Sequence, residues 1–228
     1  ADLYPQEEKT DQGLPAKSAY GIAIDLGTTT IGFALIDLTT GQIKRSLSRM
    51  NSQRIYGADV LSRIQCANEG QGNALRRCAE LDLRQGIKDL CKDQIDVSGI
   101  RHIVIAGNTT MCHLLRGYSC QTLGMAPFRP VSTEQEDFVQ KGMAVTILPG
   151  ASAFVGGDII SGIYGIREHL DANDEPWMLL DFGTNGEMVL WTGERFFATA
   201  AAAGPAFEGG NISCGCASIP GAISSVMI

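Results

Sequence analysis

Two stretches of this chain repeat one pattern: IAIDLGTTTIGFAL around Asp25 and MLLDFGTNGEMVL around Asp181, 156 residues apart (181 − 25). In each, an apolar run ends in an Asp, small residues follow, and a second apolar run begins. This predicts two strand–turn–strand units separated by about the length of one domain. Gly27 and Gly183 let a ligand approach the backbone closely. Successive amides, with Thr28, Thr29, Thr184 and Asn185, supply donors suited to phosphate oxygens. Either Asp alone reads first as a turn-capping residue. As a matched pair, the hairpins are expected to hold the phosphates of a nucleotide from opposite sides.

Neither turn contains Lys or Arg, so two carboxylates beside a polyphosphate would repel it. A divalent cation resolves this, and Mg²⁺ is the usual partner of phosphates. Asp25 and Asp181 are therefore the candidate metal-binding and catalytic carboxylates. Gly27, Thr28, Thr29, Gly183, Thr184 and Asn185 are the candidate nucleotide-binding residues.

Composition narrows the class. The 228 residues are 44% hydrophobic and 19% charged with 27 glycines, an ordinary α/β profile. Net charge is −7 and no basic run occurs, so nucleic-acid binding by phosphate neutralisation is not expected. No apolar run approaches the roughly 18 residues of a membrane span. Residues 1–19 are polar, without an apolar signal core, and read as a flexible linker. Seven cysteines, an odd number at irregular spacing, suggest reduced thiols and a cytoplasmic location. Cys214 and Cys216 supply too few ligands for a structural zinc site.

Along the chain, strands are expected at Gly21–Asp25, Ile31–Asp37 and Gln42–Ser48, then a helix beginning near Asp59. Leu75, Ala79, Leu83, Ile87 and Leu90 recur at helical spacing and mark one apolar face. A buried strand His102–Ala106 feeds a helix Thr109–Arg116 that Gly117 stops. Residues 121–141, with Pro127, Pro130 and the acids Glu134, Glu136 and Asp137, read as a solvated loop. A strand Ala144–Leu148 precedes an expected helix over 151–166. There Ala153, Gly157, Ser161 and Gly165 fall at steps of four, with Phe154, Ile159, Ile160, Ile163 and Ile166 on its apolar flank. Glycines cost about 0.5–1 kcal/mol each inside a helix, so this seam predicts close packing, with sliding between subdomains. Past a polar connector the meander returns as Trp177–Asp181, Glu187–Trp191 and Arg195–Thr199. A helix opening at Ala206–Glu208 is expected to follow.

Strand–helix alternation indicates a layered α/β domain, and the motifs carry a resemblance. The D-x-G-T-T hairpin, Gly-rich helix and second D-x-G-T resemble the phosphate and connecting elements of the actin-like ATPase superfamily, shared by sugar and acetate kinases, Hsp-type chaperones and actin. More narrowly, DLGTTTIGFALIDLTTG, AGNTTMCHLLRG, LPGASAFVGGDIISGI, LLDFGTNGEMVL and AAAGPAFEGGNI resemble the reductive activators of corrinoid proteins. The resemblance implies a ribonuclease H-like fold of two related lobes. The first would span 20–175 with the inter-lobe helix 151–166, and 176–228 would begin a second lobe that the chain leaves incomplete. It also implies ATP hydrolysis coupled to electron transfer onto the Co(II) corrinoid of a methyltransferase system. The electron would come from a [2Fe–2S] ferredoxin domain. No C-x₄-C-x₂-C motif occurs here, so that domain is expected upstream. The expected partners are a corrinoid protein, the ferredoxin-type domain and a second copy in a homodimer, with no nucleic acid and no membrane.

Four further residues acquire readings. Asp158 lies near where related ATPases carry a water-positioning carboxylate; its alternative is a surface helix Asp. Asn108 is first a helix N-cap, and the resemblance adds a role at the nucleotide. Glu187 opens a strand and faces either the cleft or solvent, and Glu208 is a further acidic candidate. A small-molecule kinase and a non-catalytic nucleotide-gated interaction module are the competing functions. Product formation from a metabolite panel would mark the first, and nucleotide binding without turnover the second.

Overall fold

The computed structural model describes residues 19–92, 97–140, 142–167, 175–183 and 185–202. The predicted linker 1–19 lies outside them except for its last residue, as do Thr184, Cys214, Cys216 and the predicted opening at Ala206–Glu208. The chain divides into two compact units, Ala1–Ala172 and Asn173–Ile228.

The first unit is built on a six-stranded sheet. Strands β1 (Tyr20–Leu26), β2 (Thr30–Asp37) and β3 (Ile43–Met50) form an antiparallel meander. Helices α1 (Val60–Cys66) and α2 (Gly72–Leu90) then carry the chain to β4 (Ile100–Gly107), which pairs parallel with β1. Helix α3 (Thr109–Arg116), β5 (Glu136–Gln140), β6 (Met143–Ile147) and α4 (Gly157–Arg167) follow, giving the order β3-β2-β1-β4-β6-β5.

One face of this sheet holds the core. Side chains alternate across a strand, so Ile22, Ile24 and Leu26 of β1 align with Ile31, Phe33 and Leu35 of β2. Ile103 and Ile105 of β4 and Val145 and Ile147 of β6 complete a continuous buried layer. Helix α2 covers it with the five residues its periodicity predicted, Leu75, Ala79, Leu83, Ile87 and Leu90, each at most 1% exposed. Truncating such a residue, Leu83→Ala for example, costs about 2–5 kcal/mol. Gly86 lies under the Phe33 ring, where any Cβ would collide with it.

Two expectations are corrected. Residues 136–140 are not loop but an antiparallel edge strand on β6. The acids that suggested solvation are paired: Glu136 with Arg116 at 2.5 Å and with the Tyr118 hydroxyl at 2.7 Å, Asp137 with the Thr146 hydroxyl at 2.6 Å. Charged residues on an edge strand also guard it against further pairing.

Helix α4 begins at Gly157 rather than Ala151. The amides of Ala151 and Ser152 both donate to the Val155 carbonyl, and Thr109 Oγ1 donates to the Ser152 carbonyl at 2.6 Å. These bonds commit the segment to a tight loop. Of the expected apolar flank only Ile159 is buried; Phe154, Ile160, Ile163 and Ile166 are half-buried. A Cβ on Gly165 would meet nothing within 4 Å.

The second unit is an antiparallel meander, β7 (Trp177–Phe182), β8 (Asn185–Trp191) and β9 (Phe196–Ala202), as its sequence predicts. Trp191 and Phe196 pack with ring centroids 4.5 Å apart. Among the described residues no helix is long and apolar enough to cross a membrane.

Candidate functional site

The first hairpin closes with Leu26 opposite Ile31, leaving Gly27, Thr28, Thr29 and Thr30 as its turn. Asp25 sits on an exposed position at the mouth, with Gly32 across from it on β2 and Ala106 on β4. The Cβ of any other residue at position 27 would lie 2.5 Å from the Thr30 carbonyl oxygen, so the turn requires glycine.

Each of the next positions is held from outside. Asn51, fully buried, donates from Nδ2 to the Gly27 carbonyl at 2.9 Å, and its backbone amide donates to the Thr29 carbonyl at 2.9 Å. Asn108 Nδ2 donates to Thr28 Oγ1 at 3.0 Å, while its Oδ1 accepts the Met111 amide at 3.0 Å as the N-cap of α3. Asn108 is therefore both cap and clamp. Because Thr28 Oγ1 already accepts a bond, its hydrogen is left to donate to an anion.

Asn51 is anchored in turn. Its Oδ1 accepts the Gln53 amide at 3.0 Å, and Gln53 Nε2 donates to the Leu75 carbonyl of α2 at 2.9 Å. Ser52 donates its amide and hydroxyl to Asp82 at 2.8 and 2.5 Å. The loop after β3 thus ties the hairpin to α2. The sequence alone marks neither Asn51 nor Gln53; the one local sign is an Asn opening a short polar turn.

The loop preceding α4 meets the same corner. A Cβ on Gly156 would lie 2.5 Å from Asn108 Cα and from the Gly107 carbonyl oxygen. That contact sets the start of α4, with half-buried Asp158 in its first turn, against the start of α3. The Asp158 charge is felt on α3: burial first, then Asp158 and Glu136, push the Cys112 thiol up to about 12. Cys112 is thus a neutral packing residue at physiological pH. All five described cysteines are free.

His113, buried on α3, bonds the Thr109 carbonyl through Nδ1 at 2.8 Å and accepts the Val131 amide on Nε2 at 3.0 Å. Burial holds it below the usual histidine range. Both ring nitrogens serve packing, so it is not a site residue.

In the second unit, Asp181 lies on exposed β7, and the turn holds Gly183, whose amide donates to the Asn185 carbonyl at 2.8 Å. Phe182 pairs with Gly186, making this turn one residue shorter than the first. The residue opposite Asp181 is Glu187, which is buried at 9% exposure. Its side chain therefore does not face bulk solvent.

The geometry gathers Asp25, Gly27, Thr28, Thr29 and Asn108 at one end of the first sheet, with Asp158 on the adjoining helix. A family model described as the RACo middle region matches residues 20–171 of the chain. The chain belongs to the RACo family. A second model, described as the C-terminal domain of RACo, the ASKHA domain, matches residues 175–228. The chain is 33% identical to the corrinoid activation enzyme RamQ of Eubacterium limosum, over 99% of this chain and 38% of that protein. It is 28% identical to a [Co(II) methylated amine-specific corrinoid protein] reductase of Methanosarcina barkeri, over 91% of this chain and 40% of that one. A solved reductive activator for corrinoid,iron-sulfur protein superposes with a TM-score of 0.79 at 33% identity, covering 90% of this chain and 34% of the other. The chain thus spans about two fifths of the length of the curated relatives it matches. RACo membership accords with the predicted α/β fold of the actin-like ATPase class.

Proposed function

We propose that this chain is the nucleotide-binding and ATP-hydrolysing region of a reductive activator. ATP hydrolysis would drive one electron from a [2Fe–2S] ferredoxin-type domain of the full-length protein onto the Co(II) corrinoid of a methyltransferase system, giving Co(I). The observation that carries the reading is the set of bonds that fixes the Gly27–Thr29 turn from outside, through the Gly27 and Thr29 carbonyls and the Thr28 hydroxyl oxygen. The relatives' names supply the corrinoid partner.

The residues present fit a Mg²⁺–polyphosphate: a turn only glycine can make, a hydroxyl with its hydrogen to spare, and an exposed carboxylate at the mouth. Gly27, Thr28 and Thr29 would hold phosphate oxygens from the first hairpin, and Gly183, Thr184 and Asn185 from the second. Asn108 would act through Thr28. Asp25 and Asp181 would hold the cation through water, and the cation when bound neutralises phosphate charge. Asp158 would orient or deprotonate the attacking water. A cytoplasmic location fits the free thiols, and a homodimer is the proposed assembly.

The test mixes full-length protein, reductant, ATP and the Co(II) corrinoid protein while the visible spectrum is followed. ATP-dependent appearance of Co(I) is expected. Its absence with every corrinoid partner encoded in the same genome overturns the reading.

A further inference from the structure

Arg63 of α1 is fully buried, yet among the described residues it enters no ion pair. Its Nε donates to the Gly57 carbonyl at 2.9 Å, and its Nη1 reaches Gln53 Oε1 at 3.4 Å and Met111 Sδ at 3.2 Å. Nη2 is buried with no hydrogen-bond partner among the described residues. Burial pulls this guanidinium down to about 10, with the Asp59 charge opposing, so it remains a cation at neutral pH. A buried charge outside any ion pair is costly, and a fold that keeps one calls for an explanation.

Position supplies it. Gln53 Oε1 also accepts from Asn51 Nδ2 at 3.4 Å, and that nitrogen donates to the Gly27 carbonyl. Asn51 and Arg63 further converge on the same sulfur, Met111 Sδ, at 3.8 and 3.2 Å. The backbone amide of Met111 is capped by Asn108, the residue that grips Thr28. Arg63 is therefore two side chains behind the phosphate turn. Neither turn has a cationic residue of its own.

We propose, resting on the nucleotide reading above, that Arg63 is the buried countercharge of the first phosphate turn and that Asn51 and Gln53 link it to Gly27. Both are positioning residues, since neither touches the ligand. A charge set in the low-dielectric interior acts on an anion at the turn with little screening by salt. It also favours the more highly charged nucleotide. A packing residue would instead affect all nucleotides alike.

The experiment measures binding of ATP, ADP and AMP, with Mg²⁺, to the full-length protein by calorimetry, alongside apo thermal unfolding. Arg63→Met keeps the volume and removes the charge. We expect it to weaken ATP binding on the order of tenfold, ADP less and AMP least, while apo stability is preserved. Arg63→Lys should restore part of the loss. Asn51→Ser, which cuts the link and leaves the charge, should weaken ATP as well and serves if the methionine variant does not fold. Arg63→Met binding ATP like wild type, or losing ATP and AMP equally, overturns the inference; so does an Asn51→Ser protein with wild-type affinity. A wild type that binds no nucleotide overturns the nucleotide reading with it, and the two failures are thereby told apart.

Discussion

Asp181 and Glu187 stand directly opposite one another across the β7–β8 ladder, whereas the residue opposite Asp25 on β2 is Gly32. Opposed residues of an antiparallel pair share a face, and like charges there are destabilising. The hairpins therefore differ in electrostatics although their sequences rhyme. Glu187→Gln should raise apo stability by about 0.2–1 kcal/mol and reduce the extra stability that Mg²⁺ confers. Denaturant unfolding of the full-length protein with and without Mg²⁺ reads both; equal Mg²⁺ stabilisation of wild type and variant counts against the assignment of Asp181 as a metal residue.

Two glycines of the α4 region should respond to alanine with opposite signs. At Gly156 a Cβ would lie 2.5 Å from the backbone of Gly107 and Asn108, so the backbone must move. Overpacking of this kind costs about 1–3 kcal/mol. It would also shift Asp158 from the start of α3, lowering turnover. At Gly165 a Cβ meets nothing within 4 Å, and helix propensity should add about 0.5–1 kcal/mol in this chain. Urea titrations of the two variants check the pair, and a stabilised Gly156→Ala would refute the close contact.

Burial keeps His113 below the 6.5 it has when unfolded, which fixes the sign of a pH effect. Above that value the ring is neutral in both states and nothing is lost. As pH falls below 6.5, the unfolded chain takes the proton first, so stability declines until the folded-state ring titrates too. The slope from this one group is at most about 1.4 kcal/mol per pH unit. Denaturation at pH 7.5 and 5.5 should show the decline, and His113→Gln should flatten it. An unchanged slope in the variant would place the titrating group elsewhere.

What the sequence discloses depends on how far apart the interacting residues are. The buried face of α2 is legible because period and burial coincide within one helix, from Leu75 to Leu90. The D-x-G-T turns are legible because all their residues are contiguous. Asn51 is not, since its meaning lies in a carbonyl 24 positions earlier. Arg63 looks like a solvated helix cation until the fold closes over it. Strand β5 hides behind acids whose partners, Arg116, Tyr118 and Thr146, come from other elements. The start of α4 is obscured because small residues keep their four-residue spacing through the loop before it.

Asn108 joins two roles that one set of variants can separate. Its Oδ1 caps α3 through the Met111 amide, and its Nδ2 holds Thr28. Serine caps helices nearly as well as asparagine but is too short to span both contacts. Asn108→Ser should therefore keep stability within a few tenths of a kcal/mol, whereas Asn108→Ala should lose about 1 kcal/mol. Nucleotide affinity should fall in both variants by a similar factor, about five- to tenfold for one lost positioning hydrogen bond. Unfolding midpoints and ATP titrations of the three full-length proteins test this together. If affinity followed stability, with the serine variant binding like wild type, the Thr28 contact would be incidental and Asn108 a cap alone.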